Sequence, residues 1–379
     1  MFFDSITIVV CVVLVVLAVA SSLADVLIKK VCADDKEVGD NACKPVSIII
    51  IADNNANELG KNLPLFLSQD YPAGFEVIVV VDKDEDGTGD VLKTFSKHAN
   101  FYTTFVPDSS RYMSRRKLAI TLGVKAAKHE LILLTDATCK PVSDKWVSRM
   151  AAACTDGVNM VLGYSNYVCE AGSYKMFYRF RREYALLHEA CSGNAYGMAG
   201  NNLLFRKSMF MSGNSFRGNL KYLRGEYHFL VNKYAKSGGV AVETHQDSFI
   251  EEEAPSRKSW YNRNVFYVET RRHLTGSFKH RAMFNIDMLM LHVCFLLSIA
   301  SAVYAVCFAD WLVLPFSCVA LVAPFVVRTL VAKRAMAKFQ VGVSMFKVVP
   351  YELVLIWHNL RYAMAYRFAD KYDFISHKS

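Results

Sequence analysis

The chain has 379 residues, a formal net charge of +9, and 53% hydrophobic against 21% charged residues. This excludes a disordered or fibrous chain and predicts a folded core joined to membrane-directed segments. No basic stripe interleaved with aromatics marks a nucleic-acid surface, whereas anionic lipid head groups and phosphate-bearing substrates both suit the positive charge.

In chain order, residues 6–24 form an uncharged run of about 19 residues, long enough to cross a ~30 Å hydrocarbon layer. The first charge is Asp4 and there is no basic stretch before the run, while Lys29 and Lys30 follow it. An uncleaved anchor over 1–30 is expected rather than a signal peptide. Residues 34–44 are polar and read as a linker. Residues 46–51 and 75–81 are runs dominated by β-branched residues, with Asp53 shortly after the first and Asp82 directly after the second. Between them, 58–69 places Leu59, Leu63, Phe66 and Leu67 on one helical face. Fully apolar strands joined by a helix predict parallel pairing covered on both faces. The alternation continues with a helix over 90–98, a strand over 101–106, a helix over 114–128 and a strand over 131–135 that delivers Asp136. Ser143 is the expected N-cap of a helix through Trp146 and Met150.

Ligands of open α/β sheets bind beyond the carboxyl ends of the strands, so Asp53, Asp82 and Asp136 are predicted to line one crevice. The competing reading is that the three acids merely terminate strands as turn formers. Later, residues 288–309 and 311–327 are apolar and separated by Asp310, which predicts a transmembrane hairpin over 283–333; two buried helices of a soluble core are the alternative. Lys279, His280 and Arg281 precede the hairpin, and Lys333, Arg334 and Lys338 follow it. With Lys29 and Lys30, these place the intervening domain on the cytoplasmic side. Residues 348–368 carry Glu352, His358, Arg361 and Arg367, so 345–379 is expected to be an interfacial helix and tail. Ten cysteines occur without a C-x-x-C pair or a histidine at zinc spacing. They read as small buried hydrophobes in a reducing compartment.

Four segments carry a resemblance: Val46-Ser47-Ile48-Ile49-Ile50-Ile51-Ala52, Gln69-Asp70-Tyr71-Pro72, the strand leading into Asp86-Gly87-Thr88, and Leu134-Thr135-Asp136-Ala137-Thr138-Cys139. In this order and spacing they resemble glycosyltransferase family 2, closest to its bacterial membrane-linked members. The resemblance implies a Rossmann-like GT-A fold, an α/β domain with a mostly parallel sheet over 44–275. It also implies a nucleotide-sugar donor near Ala52, Asp53, Asn55, Asp82 and Asp136, with Arg116, Thr138 and Arg272 completing the donor side. A divalent Mg or Mn held by an Asp-x-Asp motif would neutralise the leaving diphosphate. Here that motif reads Asp136-Ala137-Thr138, with threonine in place of the second acid, and Asn54-Asn55 replaces the family's Asn-Glu.

The stretch Gly225-Glu226-Tyr227-His228-Phe229-Leu230 matches the family's acceptor-base motif, with Tyr227 where an acid is expected. Glu226 and His228 are the candidates for the base; solvated residues at a helix start are the alternative. Gly200, Asn201 and Asn202 match an acceptor-side turn. Glu269-Thr270-Arg271-Arg272-His273 stands for a Gln-x-x-Arg-Trp motif, retaining Arg272. Arg115, Arg116, Lys117, Arg271 and Arg272 offer charge for a diphosphate without a metal, or a basic face for lipid. The implied function is an inverting transfer from a nucleotide sugar to a glycan or lipid-linked acceptor at the cytoplasmic face of a bacterial inner membrane. A catalytically inactive binding or scaffold protein in a glycan-assembly complex is the second reading.

Overall fold

The computed structural model describes residues 5–32, 44–107, 114–235 and 239–374; most of the linker expected at 34–44 lies outside them. The chain divides into two compact units, one of Met1–Lys30 with Gly276–Arg361 and one of Val31–Thr275 with Tyr362–Ser379.

The first unit opens with α1 (Ser5–Leu23). The second then runs β1 (Val46–Ala52), α2 (Ala56–Leu67), β2 (Phe75–Val81), α3 (Thr88–Thr94), β3 (Phe101–Phe105), α4 (Arg115–Ala126) and β4 (Leu131–Asp136). It continues through β5 (Cys139–Pro141), α5 (Trp146–Ala152), β6 (Met160–Gly163), β7 (Ser165–Tyr167), α6 (Ser173–Cys191), β8 (Leu203–Arg206) and α7 (Lys207–Ser212). The elements α8 (Glu226–Tyr234), β9 (Val240–Glu243), β10 (Ile250–Glu252) and α9 (Arg257–Thr270) complete it, before α10 (Ser277–Cys307), α11 (Val313–Lys338) and α12 (Val348–Phe368).

The large sheet has the order β3-β2-β1-β4-β8-β6-β9. Strands β3, β2, β1 and β4 are mutually parallel and β8 is antiparallel to both its neighbours. This is the mostly parallel GT-A-like α/β architecture. The largely apolar β1, β2 and β4 are buried along almost their whole length, as strands covered on both faces must be, and the Ser47 hydroxyl of β1 donates to the Glu76 carboxylate of β2 at 2.7 Å. Gly123 lets α4 lie directly on the sheet, since a Cβ there would collide with Ile49 and Val80. Register sets the site: Ala52 pairs with Val81 and Ile51 with Asp136, so β1, β2 and β4 release the chain at one edge.

Two expectations are corrected. Helix α5 begins at Trp146 with Lys145 at its N-cap; the Ser143 hydroxyl instead accepts from the Lys145 N–H at 3.2 Å, two residues too early to cap. The cysteines are not uniformly small buried hydrophobes of a reducing compartment: Cys32 and Cys191 form a disulfide, a bond that persists in oxidising surroundings, and Cys169, Cys307 and Cys318 are exposed.

In the first unit α1, α10 and α11 are long and apolar enough to cross a membrane. Leu14, Ala18, Cys294 and Ala320 pack between them. Arg328 of α11 is completely buried; its guanidinium donates to the Ser21 carbonyl and the Glu352 carboxylate and pairs with Asp287. A cation at such a position is retained only with partners that match its donors.

Candidate active site

At the carboxyl ends of β1 and β4 lies a cleft of about 590 Å³, whose walls include Asp53, Asn55, Asp136, Thr138 and Glu226. The loop after β1 is fixed by the turn after β2. The Ala56 N–H donates to Asp86 at 2.8 Å, the Asn55 N–H to the Thr88 hydroxyl at 3.0 Å, and the Glu85 N–H to the Asn54 side chain at 2.9 Å. Asn54 takes a left-handed φ of 54°, which asparagine tolerates better than most residues. The Asn55 amide oxygen accepts from the Asp53 N–H at 2.9 Å.

The other predicted residues divide. Asp82 is not among the cleft walls; Arg115 at the start of α4 donates from Nε to its carboxylate and from Nη2 to its carbonyl, at 2.5 and 2.8 Å. Ala52 is buried within β1. Asp136 meets the Arg116 guanidinium and accepts from the Tyr227 hydroxyl at 3.3 Å. Burial pushes the Asp136 carboxyl upward even with Arg116 beside it. It pushes the Tyr227 hydroxyl well above the usual phenol range, and the Asp136 charge adds to this. Burial also disfavours the Arg116 charge, but Asp136 and Glu226 more than offset it and hold the guanidinium protonated.

Glu226 opens α8 immediately after Gly225, whose φ is 92° and where a Cβ would collide with Thr270. Glycine is therefore required for the turn that carries Glu226 into the cleft. The Glu226 side chain is buried, with Oε2 3.9 Å from Arg116 Nε, and Oε1 has no hydrogen-bond partner among the described residues. Lys117, fully buried, donates to the carbonyls of Asn219 and Tyr222 and lies over the Phe229 ring, so it secures the loop before α8. Burial lowers its ammonium to about 8.

His228 is different. Burial and then Arg182 push its imidazole well below the usual value, so it is neutral. Arg182 Nη2 donates to Nε2 at 2.9 Å, which leaves the proton on Nδ1, itself without a partner among the described residues. Nε2, the basic nitrogen, is thus already occupied.

On the acceptor-side turn Asn201 lines the cleft, while Gly200 and Asn202 do not. A Cβ at Gly200 would collide with Ser165 and Glu183. Asn202, fully buried, accepts from Trp146 Nε1 at 3.0 Å and donates to the carbonyls of Tyr164 and Ser248 at 2.9 and 2.8 Å. Arg272 lies outside the cleft, 5.5 Å over the Tyr366 ring. His273 stacks on Tyr222 and bonds Glu269 at 2.9 Å.

Several cleft residues carry no motif in the sequence. Arg179 and Arg182 come from α6, and Arg263 and Tyr267 from α9. Burial tends to raise the Glu252 carboxyl, yet Arg263 and Arg179 hold it below the usual glutamate value. The available signal was an arginine pair three apart on a helix otherwise rich in Phe177, Phe180 and Tyr184.

A resident divalent ion requires several hard oxygen donors. Here Asp136 is already paired with Arg116, Thr138 supplies no charge, and among the described residues no group of three His, Cys, Asp or Glu side chains could share an ion. These residues do not fit the acidic metal site that the resemblance implies.

An open, mostly parallel sheet with an acidic and arginine-bearing cleft at its carboxyl edge is the GT-A-like arrangement, in which a ligand binds beyond the strand ends. Residues 47–213 match the family model for glycosyl transferase family 2. Among solved structures, the chain is similar to the mannosyltransferase PcManGT from Pyrobaculum calidifontis in complex with GDP-Man and Mn2+. The identity is 17% and the TM-score 0.56, with 95% of this chain and 98% of that one covered. S. aureus TarS 1–349 matches at 17% identity and a TM-score of 0.42, covering 83% of this chain and 91% of that one. No curated protein sequence matches.

Proposed function

We propose that the chain transfers a sugar from a nucleotide-sugar donor to a glycan or lipid-linked acceptor, with inversion at the anomeric carbon. The Glu226 carboxylate carries this reading: it is buried in the same cleft as Asp53 and Asp136, with one oxygen unpartnered. In this scheme Asp53 and Asn55 hold the nucleoside, while Arg116 and Arg263 face the diphosphate. Glu226 takes the proton of the acceptor hydroxyl as that oxygen bonds to the anomeric carbon and the bond to the diphosphate breaks. The nucleoside diphosphate then leaves against the guanidinium groups. His228, with Nε2 engaged, is the poorer base. The basic flanks of the three apolar helices favour a cytoplasmic domain on a bacterial inner membrane.

The test is transfer and donor hydrolysis by the purified full-length protein. GDP-mannose is tried first because of the PcManGT complex, followed by uridine and thymidine nucleotide sugars. Glu226→Gln is expected to lower turnover by roughly 10² to 10⁴-fold while retaining nucleotide binding. Equal turnover in both proteins with every donor would remove the catalytic reading. It would leave a binding or scaffold protein, which one observation favours: Asp136 is satisfied by Arg116 and by Tyr227, the residue standing where an acid is expected.

A further inference from the structure

The charges lining the cleft are unevenly distributed. Asp53, Asp136, Glu226 and Arg116 gather where β1, β4 and α8 reach it, whereas Arg179, Arg182, Lys258 and Arg263 stand on α6 and α9. Arg179 and Arg263 share the buried Glu252. Arg182, Lys258 and Arg224 line the cleft with no carboxylate within ion-pair distance among the described residues. Helix α6 packs on β9, at the other end of the large sheet from β1, whose following loop carries Asp53 and Asn55, and on β7 of a separate three-stranded sheet. The surplus positive charge therefore lies on the wall away from the donor's base.

That wall is also aromatic. Trp260 meets the edges of Tyr178 and Tyr174 at 5.7 and 6.1 Å, and the Arg182 guanidinium lies 3.3 Å above the Tyr267 ring. Stacking on Tyr267 and the bond to the neutral His228 fix Arg182 without cancelling its charge, and its Nε has no hydrogen-bond partner among the described residues. A guanidinium held in this way is preorganised for a planar or tetrahedral oxyanion. Aromatic rings beside it suit the apolar face of a sugar. An anionic acceptor would gain from these cations an attraction that a neutral one does not.

We infer that the wall formed by α6 and α9 binds an acceptor sugar bearing an oxyanion, a phosphate or a carboxylate, with Arg182 as its principal anchor and Lys258 as a second. This rests on the proposed transferase reading and adds the acceptor's chemical class.

The experiment uses the full-length protein in detergent micelles, first saturated with the nucleoside diphosphate that binds it. Glucose 6-phosphate and methyl glucuronide are then compared with methyl glucoside by saturation-transfer NMR, with farnesyl phosphate as a phosphate lacking the sugar. Both anionic sugars are expected to bind the nucleotide-saturated protein on the order of tenfold more tightly than the glucoside. Arg182→Gln and, separately, the exposed Lys258→Glu should abolish that preference; the second variant guards against misfolding of the first. Equal binding of charged and neutral sugars overturns the inference, as does exclusion of the anionic sugars by the nucleotide, which would assign these cations to the donor. Binding of farnesyl phosphate without the sugar phosphate overturns it in favour of a lipid head group. Failure of every nucleoside diphosphate to bind overturns the transferase reading, and this inference with it.

Discussion

Glu183 should make the protein less stable as the pH rises, and Glu183→Gln should remove that dependence. Its carboxylate is fully buried in α6, 3.4 Å from Arg179 Nε. Burial nevertheless pushes its carboxyl up from 4.5 to about 7, against the pull of Arg179 and Arg182. An acid whose folded value is raised contributes stability that is whole below the unfolded value of 4.5 and is lost as pH rises through about 7. At about 1.4 kcal/mol per pH unit, the loss across that window is about 3 kcal/mol. For a domain of this size that corresponds to roughly 10 °C in melting temperature. Glutamine stands in for the protonated form, so the variant should melt higher than wild type near pH 8 and together with it near pH 4.5. The assay is intrinsic-fluorescence melting of both full-length proteins in detergent across that range. Parallel curves, or a variant less stable near pH 8, would show that the ion pair with Arg179 outweighs desolvation and would refute the reasoning.

Asn202→Ala should strand the Trp146 indole N–H and the Ser248 carbonyl, while the Tyr164 carbonyl keeps only the Ile250 N–H. At about 1 kcal/mol or more for each buried group, a melting temperature lowered by less than a few degrees would contradict it. Because Asp136 is already paired with Arg116, a chelator should leave nucleoside diphosphate affinity within about twofold by calorimetry. A strict requirement for added manganese would refute this. Arg328→Ala leaves Asp287 and Glu352 buried without their cation. A loss of about 3–5 kcal/mol follows, read as earlier thermal aggregation of the solubilised protein and partly restored by adding Asp287→Asn.

Much of the scaffold was legible because its cause is local. The stretch 75–81 is apolar but for Glu76, and the strand β2 has those bounds; the run 6–24 is the helix α1 (Ser5–Leu23), long and apolar enough to span a membrane. The cap of α5 was misread because serine at 143 is a good cap only if the helix starts beside it, and the turn at Lys145 delays the start. The disulfide was invisible because Cys32 and Cys191 are 159 residues apart and spacing alone does not reveal pairing. Arg182 and Arg263 were equally hidden, since each sits in a helix without a motif and reaches the cleft only through the packing of α6 and α9.

The sequence by itself determined the first four strands and the membrane-length helices, and that Asp53, Asp82 and Asp136 follow strands of one parallel run; β5, β6, β7, β9 and β10 carried no such signal. Periodicity and length are properties of contiguous residues, and burial enforces them wherever the chain goes. Only the tertiary structure decided that Asp82 turns to Arg115 while Asp136 is held by Arg116 and by Tyr227, 91 residues away. Each carboxylate pairs with the donor that the fold brings within about 3 Å, and electrostatic strength falls too steeply with distance and solvent for composition to make that choice.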